Sequence, residues 1–379
     1  MTALIAGGGV AGLTLALALG RRGLVSTLFE RAARLDEVGA GVQLSPNAGR
    51  ALAALGLDEA LDAVATRPQA VVIRDAVTGR LLKRLTLGAQ AERRWGAPYR
   101  VVHRADLQAI LFKALRAVGS CEIRLASELR GVRATENGVE IDVADASGEA
   151  AFAGDWLAGC DGLRSVARGA IGLPTDVGAS QLKAWRATVT ADTAPAAFDP
   201  KSVGVWLGPG AHLVVYPVRR GREANIVLIG GGKAEAPLAL TGRWAPAAQA
   251  FARLEAAWTP WPLHDRAPDS RMQRDRIALV GDAAHAALPS LAQGAGFAIE
   301  DATVLARLVA ERGPTAALPA YEAARLRRCA RMQAGARRQI RIDHLSGPAA
   351  VARNAALALA PEAALIRGLD WIYGWRDAA

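Results

Sequence analysis

His212 and Tyr216 stand four residues apart in His212-Leu213-Val214-Val215-Tyr216-Pro217, the segment of this 379-residue chain best suited to proton chemistry. It reads as a strand, and residues i and i+4 of a strand point to the same face, so the two side chains can line one pocket. Imidazole titrates near neutral pH, which suits proton transfer, and a tyrosine hydroxyl can fix an oxygen. The same pattern also fits a sheet pair that merely packs. His103, His264 and His344 have no partner at metal-ligand spacing. His285 follows a glycine-aspartate pair. The three cysteines, Cys121, Cys160 and Cys329, are far apart without a Cys-x-x-Cys pair. That excludes a disulfide framework and a zinc ribbon and points to a reducing, cytoplasmic compartment.

A second constellation is Ala3-Leu-Ile-Ala-Gly7-Gly8-Gly9-Val10-Ala11-Gly12, a Gly-x-Gly-x-x-Gly between a strand and a helix. Gly7 allows the tight turn, Gly9 lets a pyrophosphate approach the backbone, and Gly12 lets the helix pack on the strand. Glu30 ends the second strand, 18 residues after Gly12, placed to accept hydrogen bonds from an adenosine ribose and unsuited to a 2′-phosphate. This is a dinucleotide site; NAD and FAD both carry ADP, so the fingerprint leaves the choice between them open. Gly230-Gly231-Gly232 has no helical pattern after it and reads as a turn. Farther on, the apolar strand 277–280 delivers Asp282, with Gly281 removing side-chain bulk, and the small-residue run 292–296 precedes a helix holding Glu300 and Asp301.

The elements that position these groups fall into four segments. Residues 1–65 alternate strand and helix: strand 2–6, helix 10–22, strand 26–30, helix 47–55. Residues 100–170 resume that style with a helix over 105–118 and a hairpin around Glu136-Asn137-Gly138. Short strands separated by Gly and Pro turns follow at 184–191, 202–207, 212–218 and 225–230. Strand, loop and helix return over 276–310, and an Ala/Arg-rich helical remainder ends the chain. This is a discontinuous nucleotide-binding domain with an antiparallel sheet inserted into it.

Composition supports a globular chain with real cores: 51% of residues are hydrophobic and 22% charged, which excludes wholesale disorder. Forty-six Lys and Arg against 36 Asp and Glu leave a net charge of +10. The arginines are scattered except for Arg325, Arg327, Arg328, Arg331, Arg337, Arg338 and Arg341, which read as the solvated face of a helix rather than a nucleic-acid patch. A modest positive field attracts anionic small molecules. The uncharged run 2–20 is broken by three glycines, so no membrane span is expected.

Cys160-Asp161-Gly162-Leu163-Arg164-Ser165-Val166-Ala167-Arg168 resembles the Asp-Gly motif of single-component FAD-dependent aromatic hydroxylases, and Arg276-Ile-Ala-Leu-Val-Gly281-Asp282-Ala283-Ala284-His285 resembles their Gly-Asp motif. Gly39-Ala40-Gly41-Val42-Gln43-Leu44-Ser45-Pro46-Asn47, His103-Arg104-Ala105-Asp106-Leu107 and Asp370-Trp371-Ile372-Tyr373-Gly374 are similar to the salicylate hydroxylase and 3-hydroxybenzoate 6-hydroxylase branch. The resemblance spans essentially the whole chain. It implies an α/β fold like that of para-hydroxybenzoate hydroxylase: a Rossmann-like FAD-binding domain (1–70, 100–175, 266–330), an inserted antiparallel β-sheet substrate domain (71–99, 176–265) and a C-terminal helical segment (331–379).

The resemblance further implies that Arg104 approaches the FAD diphosphate or ribityl chain and that Arg31 flanks the adenosine. The backbone near Val42 and Leu125 lines the cofactor, although core packing explains Leu125 as well. Asp161 serves FAD and, through its neighbours, NAD(P)H, while Arg168 equally suits a loop-pinning role. Gly281 and Asp282 meet ribityl or ribose hydroxyls. Pro289, Gln293, Gly294, Ala295 and Gly296 bring amides to the flavin pyrimidine edge. Gln293 and Arg186 are also candidates for substrate contacts, Arg186 through a carboxylate.

The implied reaction has NAD(P)H reduce FAD, O2 add to the flavin, and the resulting C4a-hydroperoxide hydroxylate a phenolic or N-heteroaromatic acid, with His212 and Tyr216 handling the phenol. No metal and no nucleic-acid partner are needed. NADH against NADPH, and monomer against homodimer, stay open. The rivals are a same-fold hydroxylase of a bulkier apolar substrate, such as a quinone precursor, a flavin-free NAD-linked dehydrogenase, and a non-catalytic nucleotide-binding protein.

Overall fold

The computed structural model describes residues 1–35, 41–231, 234–255 and 258–377; Gly39 and Ala40 of the Gly39–Asn47 motif, and Gly232, lie outside them. Five parallel strands, Thr2–Ala6, Val25–Phe29, Cys121–Arg124, Trp156–Gly159 and Ile277–Leu279, form the first sheet, with the short Gln273–Arg274 antiparallel at one edge. Thr2–Ala6 lies between Val25–Phe29 and Trp156–Gly159. Its neighbours on both sides are parallel, so crossovers must cover both faces, and its residues are accordingly apolar almost throughout. Helix Val10–Gly20 is apolar on all sides because it is sandwiched between that sheet, helix Arg104–Val118 and the long C-terminal helix. Strands Glu128–Ala134, Val139–Asp145 and Gly148–Gly154 make a separate meander.

The second large sheet has seven strands in the order Thr259–Asp265, Gly178–Thr190, Glu223–Gly231, Ala211–Val218, Ser202–Gly208, Ala70–Asp75, Leu81–Thr86. It is antiparallel except where Ser202–Gly208 runs parallel to Ala70–Asp75. Two segments distant in sequence thus share one sheet, and the lone parallel pair is where they meet. Alternation along Ala211–Val218 sorts its residues. Leu213 and Val215 join Trp185, Trp206, Trp244 and Phe251 in a core on one side. His212, Val214 and Tyr216 face the other way, toward the unit built on the first sheet. There Ala184 and Ile229 pack on Leu288, Ala336 and Ile340.

The C-terminal helix, Gly294–Asp343, is broken at Gly313 (φ 68°, ψ 164°), directly before Pro314; its second leg continues without a break through residue 330. The arginine cluster on that leg departs from the solvated face expected of it. Arg325 is fully buried between Glu300 and Asp301. Arg328 binds Glu300 and the carbonyls of Trp371 and Ile372, and Arg337 pairs with Asp265. Arg327, Arg331, Arg338 and Arg341 remain exposed. Among the described residues no single helix is long and apolar enough to cross a membrane; the pair Gly347–Leu359 and Glu362–Tyr373 has the composition but is bent by 101°.

Candidate active site

Strands Thr2–Ala6, Trp156–Gly159 and Ile277–Leu279 all end at the same edge, which delivers Gly7, Asp161 and Gly281–Asp282 to one place, the carboxyl edge of a parallel sheet. The glycines there have steric reasons that can be measured. Gly7 has φ +104°, and a Cβ on it would lie 2.3 Å from the carbonyl oxygen of Cys160. A Cβ on Gly12 would lie 1.9 Å from the carbonyl oxygen of Gly7. A Cβ on Gly9 would meet nothing within 4 Å. Gly7 and Gly12 are therefore demanded by the fold, while Gly9 faces open space in front of the helix amides.

The Glu30 carboxylate accepts from the amides of Gly8 at 2.6 Å and Ala32 at 2.8 Å, which fixes it beside the glycine loop. Arg31 is exposed next to it. Asp161 accepts with Oδ2 from the amides of Val166 and Ala167. Its Oδ1 is buried without a hydrogen-bond partner among the described residues, and burial pushes its pKa up. Arg168 is held by Asp269 and by the carbonyls of Pro174 and Ala283, so it pins the loop. Arg266, which the sequence did not single out, donates to the carbonyls of Leu163, Pro174, Thr175 and Asp176 and does the same. Gln108 is another addition: its Nε2 donates to the Gly8 carbonyl at 3.3 Å and its buried Oε1 has no partner among the described residues. The only sequence signal for it was a glutamine on the inner face of helix Arg104–Val118. Arg104 starts that helix on its exposed side.

Gly281 adopts φ 64° and ψ −135°, and its amide donates to Asp301 at 3.0 Å. Asp282 is exposed with no hydrogen bond to any described residue, leaving its carboxylate for a ligand. Asp301 is the centre of a buried charge network. It accepts from His285 Nε2 at 2.5 Å and Arg325 Nε at 2.7 Å, while Glu300 takes Arg325, Arg328 and Asn47. Burial pushes Asp301 up, but His285 and Arg325 outweigh it and hold it at about 2. His285 is correspondingly raised, with Cys329 and Asp301 overcoming burial. Cys329 completes a triad within 4.8 Å, but Arg325 sets a cation against the Asp301 carboxylate, so the group balances charge. His285 is thus structural.

Ala292 takes the left-handed conformation (φ 53°) after the single turn Pro289–Leu291. Helix Gly294–Asp343 then begins with Gly294 exposed, and a Cβ there would meet nothing within 4 Å. The amides of Gly294, Ala295 and Gly296 form its first turn and lack intrahelical acceptors. Gln293 departs from the substrate-facing role expected of it. Its side chain is turned inward, with Nε2 donating to Ser45 at 2.9 Å and Oε1 accepting from Asn47 at 3.1 Å, because the starts of helices Gly294–Asp343 and Pro46–Ala54 meet and satisfy one another. Val42, in strand Gly41–Leu44, pairs with Val102. Leu125 is half-buried, its carbonyl taken by Ser127.

On the inserted sheet, Tyr216 donates its hydroxyl to the Gly41 carbonyl at 2.6 Å, and Asn225 accepts from the Gly41 amide at 2.8 Å. A Cβ on Gly41 would lie 2.3 Å from the Tyr216 ring. The tyrosine therefore clamps the inserted sheet to strand Gly41–Leu44, which pairs with Arg100–His103 in a small two-stranded sheet, and toward a ligand keeps only the capacity to accept. His212 is buried, and its Nδ1 lies 2.8 Å from His344 Nε2. Burial, then His344, lower its pKa to about 3, so it is neutral at physiological pH. Arg186 neighbours Tyr216, with its guanidinium over Trp261 at 5.8 Å and its pKa lowered by burial. Along the register, Arg186 pairs with Val227 and Val227 with Val214. That row lies between the Gly41 clamp and the contact with Leu288.

The two buried oxygens without a described partner, the open space at Gly9 and Gly294, and the exposed Asp282 carboxylate fit a long phosphate-bearing cofactor. Comparison with known proteins agrees. Residues 1–336 match the family described as FAD binding domain. The chain is 33% identical to a 3-hydroxybenzoate 6-hydroxylase of Klebsiella oxytoca over 100% of this chain and 97% of that one. It is 36% identical to a 3-amino-4-hydroxybenzoate 2-monooxygenase of Streptomyces cremeus, over 98% and 94%. An HpxO variant of Klebsiella pneumoniae complexed with FAD superposes with TM-score 0.87 at 26% identity, covering 98% of this chain and 97% of that chain. The chain belongs to the FAD binding domain family, and within it to the FAD-dependent aromatic monooxygenases that draw on NAD(P)H.

Proposed function

We propose that this monooxygenase hydroxylates a small phenolic acid, bound between the inner face of the seven-stranded sheet and the 292–296 loop. One observation carries the reading: Arg186, His212 and Tyr216 share the sheet face that is turned to the FAD unit. Four residues of strand span about 13 Å, so His212 and Tyr216 wall opposite ends of the space, too far apart to grip one oxygen but spaced for an aromatic acid to lie between. Arg186 supplies the cation for a carboxylate, strengthened by partial burial. Neutral His212 takes a phenolic proton through Nε2, which enriches the ring for electrophilic attack. The bound flavin supplies oxygen activation with electrons from NAD(P)H.

For the cofactor, Gly7, Gly9 and Gly12 shape the pyrophosphate turn. Glu30 and Arg31 hold the adenosine end, Asp161 and Asp282 the ribityl region with Arg104 and Gln108 near the phosphates, and the amides of 294–296 the pyrimidine edge. Val42, Leu125, Pro289 and the Gln293 backbone complete the walls. Residues 1–70, 100–175 and 266–330 carry FAD, 71–99 and 176–265 the substrate, and 331–379 close the fold. The setting is cytoplasmic, with the enzyme a monomer or homodimer.

The test is a panel including 3-hydroxybenzoate, 3-amino-4-hydroxybenzoate and 6-hydroxynicotinate, scoring NAD(P)H oxidation and hydrogen peroxide together. A phenolic acid that stimulates oxidation with little peroxide supports the reading. Stimulation only by bulky uncharged aromatics refutes it. His212→Ala should keep its flavin and convert coupled turnover to peroxide release.

A further inference from the structure

We propose that His344 is a positioning partner of His212 and the outlet for the proton that His212 takes from substrate; this rests on the reading of His212 just given. The two histidines are 132 residues apart in sequence, yet His212 Nδ1 and His344 Nε2 are 2.8 Å apart, with ring centroids 5.0 Å apart and planes at 49°. His344 caps the C-terminus of helix Gly294–Asp343, and its carbonyl accepts from the Gly210 amide at 3.1 Å. The helix end is thereby tied to the turn that precedes the His212 strand. Tying up Nδ1 decides which nitrogen faces the pocket: Nε2 has no hydrogen bond to any described residue.

His212 is 2% exposed, whereas His344 reaches the surface. The groups around the pair favour its neutral state. On the sheet, the register neighbours of His212 are Ile229 and Leu207, both apolar. From helix Gly347–Leu359, Arg353 donates to the carbonyls of Ile342 and Asp343 and, after burial, lowers His344 to about 4. Asp343 is engaged by Gln339, and Asp75 by Asn354, and neither carboxylate is hydrogen-bonded to either imidazole among the described residues. A charged His212 would be stranded in apolar surroundings. A proton arriving on it must therefore move on, and His344 is the group in line.

The transfer balances without leaving charge on the protein. The substrate O–H breaks as His212 Nε2 gains a proton. His212 then gives its Nδ1 proton to His344 Nε2, and His344 releases its Nδ1 proton to water. Both rings end neutral with their tautomers exchanged, and the substrate is left as phenolate.

The experiment follows ionisation of bound 3-hydroxybenzoate from its phenolate absorbance across pH, in the FAD-loaded enzyme and without NAD(P)H, together with the rate of proton release to a pH indicator. In the native enzyme the bound probe should ionise below its free value. His344→Ala should raise the midpoint by about one unit and slow coupled turnover about tenfold, with FAD absorbance unchanged and added imidazole restoring both. His344→Gln keeps a hydrogen-bonding partner but cannot relay, so it should slow proton release about tenfold; it also serves should the alanine variant fold poorly. Native midpoints and release rates in the His344 variants, with ionisation lost in His212→Ala, overturn the role of His344 and leave that of His212 standing. Unaltered ionisation in His212→Ala overturns both.

Discussion

Gly9→Ala separates the demands of the fold from those of the cofactor, because the glycines of one motif answer to different neighbours. Gly9 has φ −74° and ψ −172°, an extended conformation that alanine adopts freely, and its added Cβ would meet nothing within 4 Å. Losing chain freedom in the unfolded state stabilises the variant by roughly 0.4–1 kcal/mol, while alanine is a poorer helix N-cap than glycine by a similar few tenths or more. The two nearly cancel, so the apoprotein should melt within a few degrees of the native one. The methyl instead occupies the space where a pyrophosphate must touch the backbone. Overpacking of that kind costs about 1–3 kcal/mol, which at about 1.4 kcal/mol per tenfold weakens FAD about 5- to 150-fold. Titrating apoprotein with FAD by quenching of flavin fluorescence, alongside thermal melting, measures both quantities. Gly12→Ala is the contrast: its Cβ would sit 1.9 Å from the Gly7 oxygen, and it should fail to fold. Native FAD affinity in Gly9→Ala would refute the placement of the pyrophosphate.

Arg186→Gln should raise KM for a phenolic acid about 10- to 100-fold, the worth of a hydrogen bond to a charged group, with kcat little changed; an unaltered KM in steady-state assays would remove Arg186 from carboxylate binding. Asp301→Asn leaves His285 and Arg325 without their shared carboxylate, and chemical denaturation should register a loss of about 3–5 kcal/mol. Since folding holds Asp301 at about 2, below its usual range, its contribution is present in full above about pH 4 and fades as pH falls toward 2. His285, raised by folding, acts in the opposite sense: its contribution is complete below about pH 6 and fades only as pH climbs through its elevated folded value. Acid titration of native and Asp301→Asn proteins by circular dichroism should show the gap between them narrowing below pH 4.

What the sequence determined by itself is the part of the protein whose reasons are local. The glycine turn, Glu30 on the next strand and Gly281–Asp282 at a strand end are contiguous motifs, and their steric demands can be read without knowing what lies across the fold. Alternation along Ala211–Val218 likewise placed His212 and Tyr216 on one face. Helical periodicity on the C-terminal helix was less informative. Tyr321, Arg325, Cys329, Met332 and Ala336 share a buried stripe, yet the density of arginines around Arg325 read as a solvated face, so its burial was not legible from the sequence. Nothing near it in sequence named Glu300 and Asp301 as the carboxylates that make its burial tolerable. Tertiary structure alone decided the rest: Gln293 turned inward to Ser45 and Asn47, Tyr216 was committed to Gly41, Gln108 reached the glycine loop, and His344 arrived beside His212. The physical reason is the same in each case. A side chain's range is a few ångströms, and its partner is chosen by which distant segments the sheets and the long helix bring within that range.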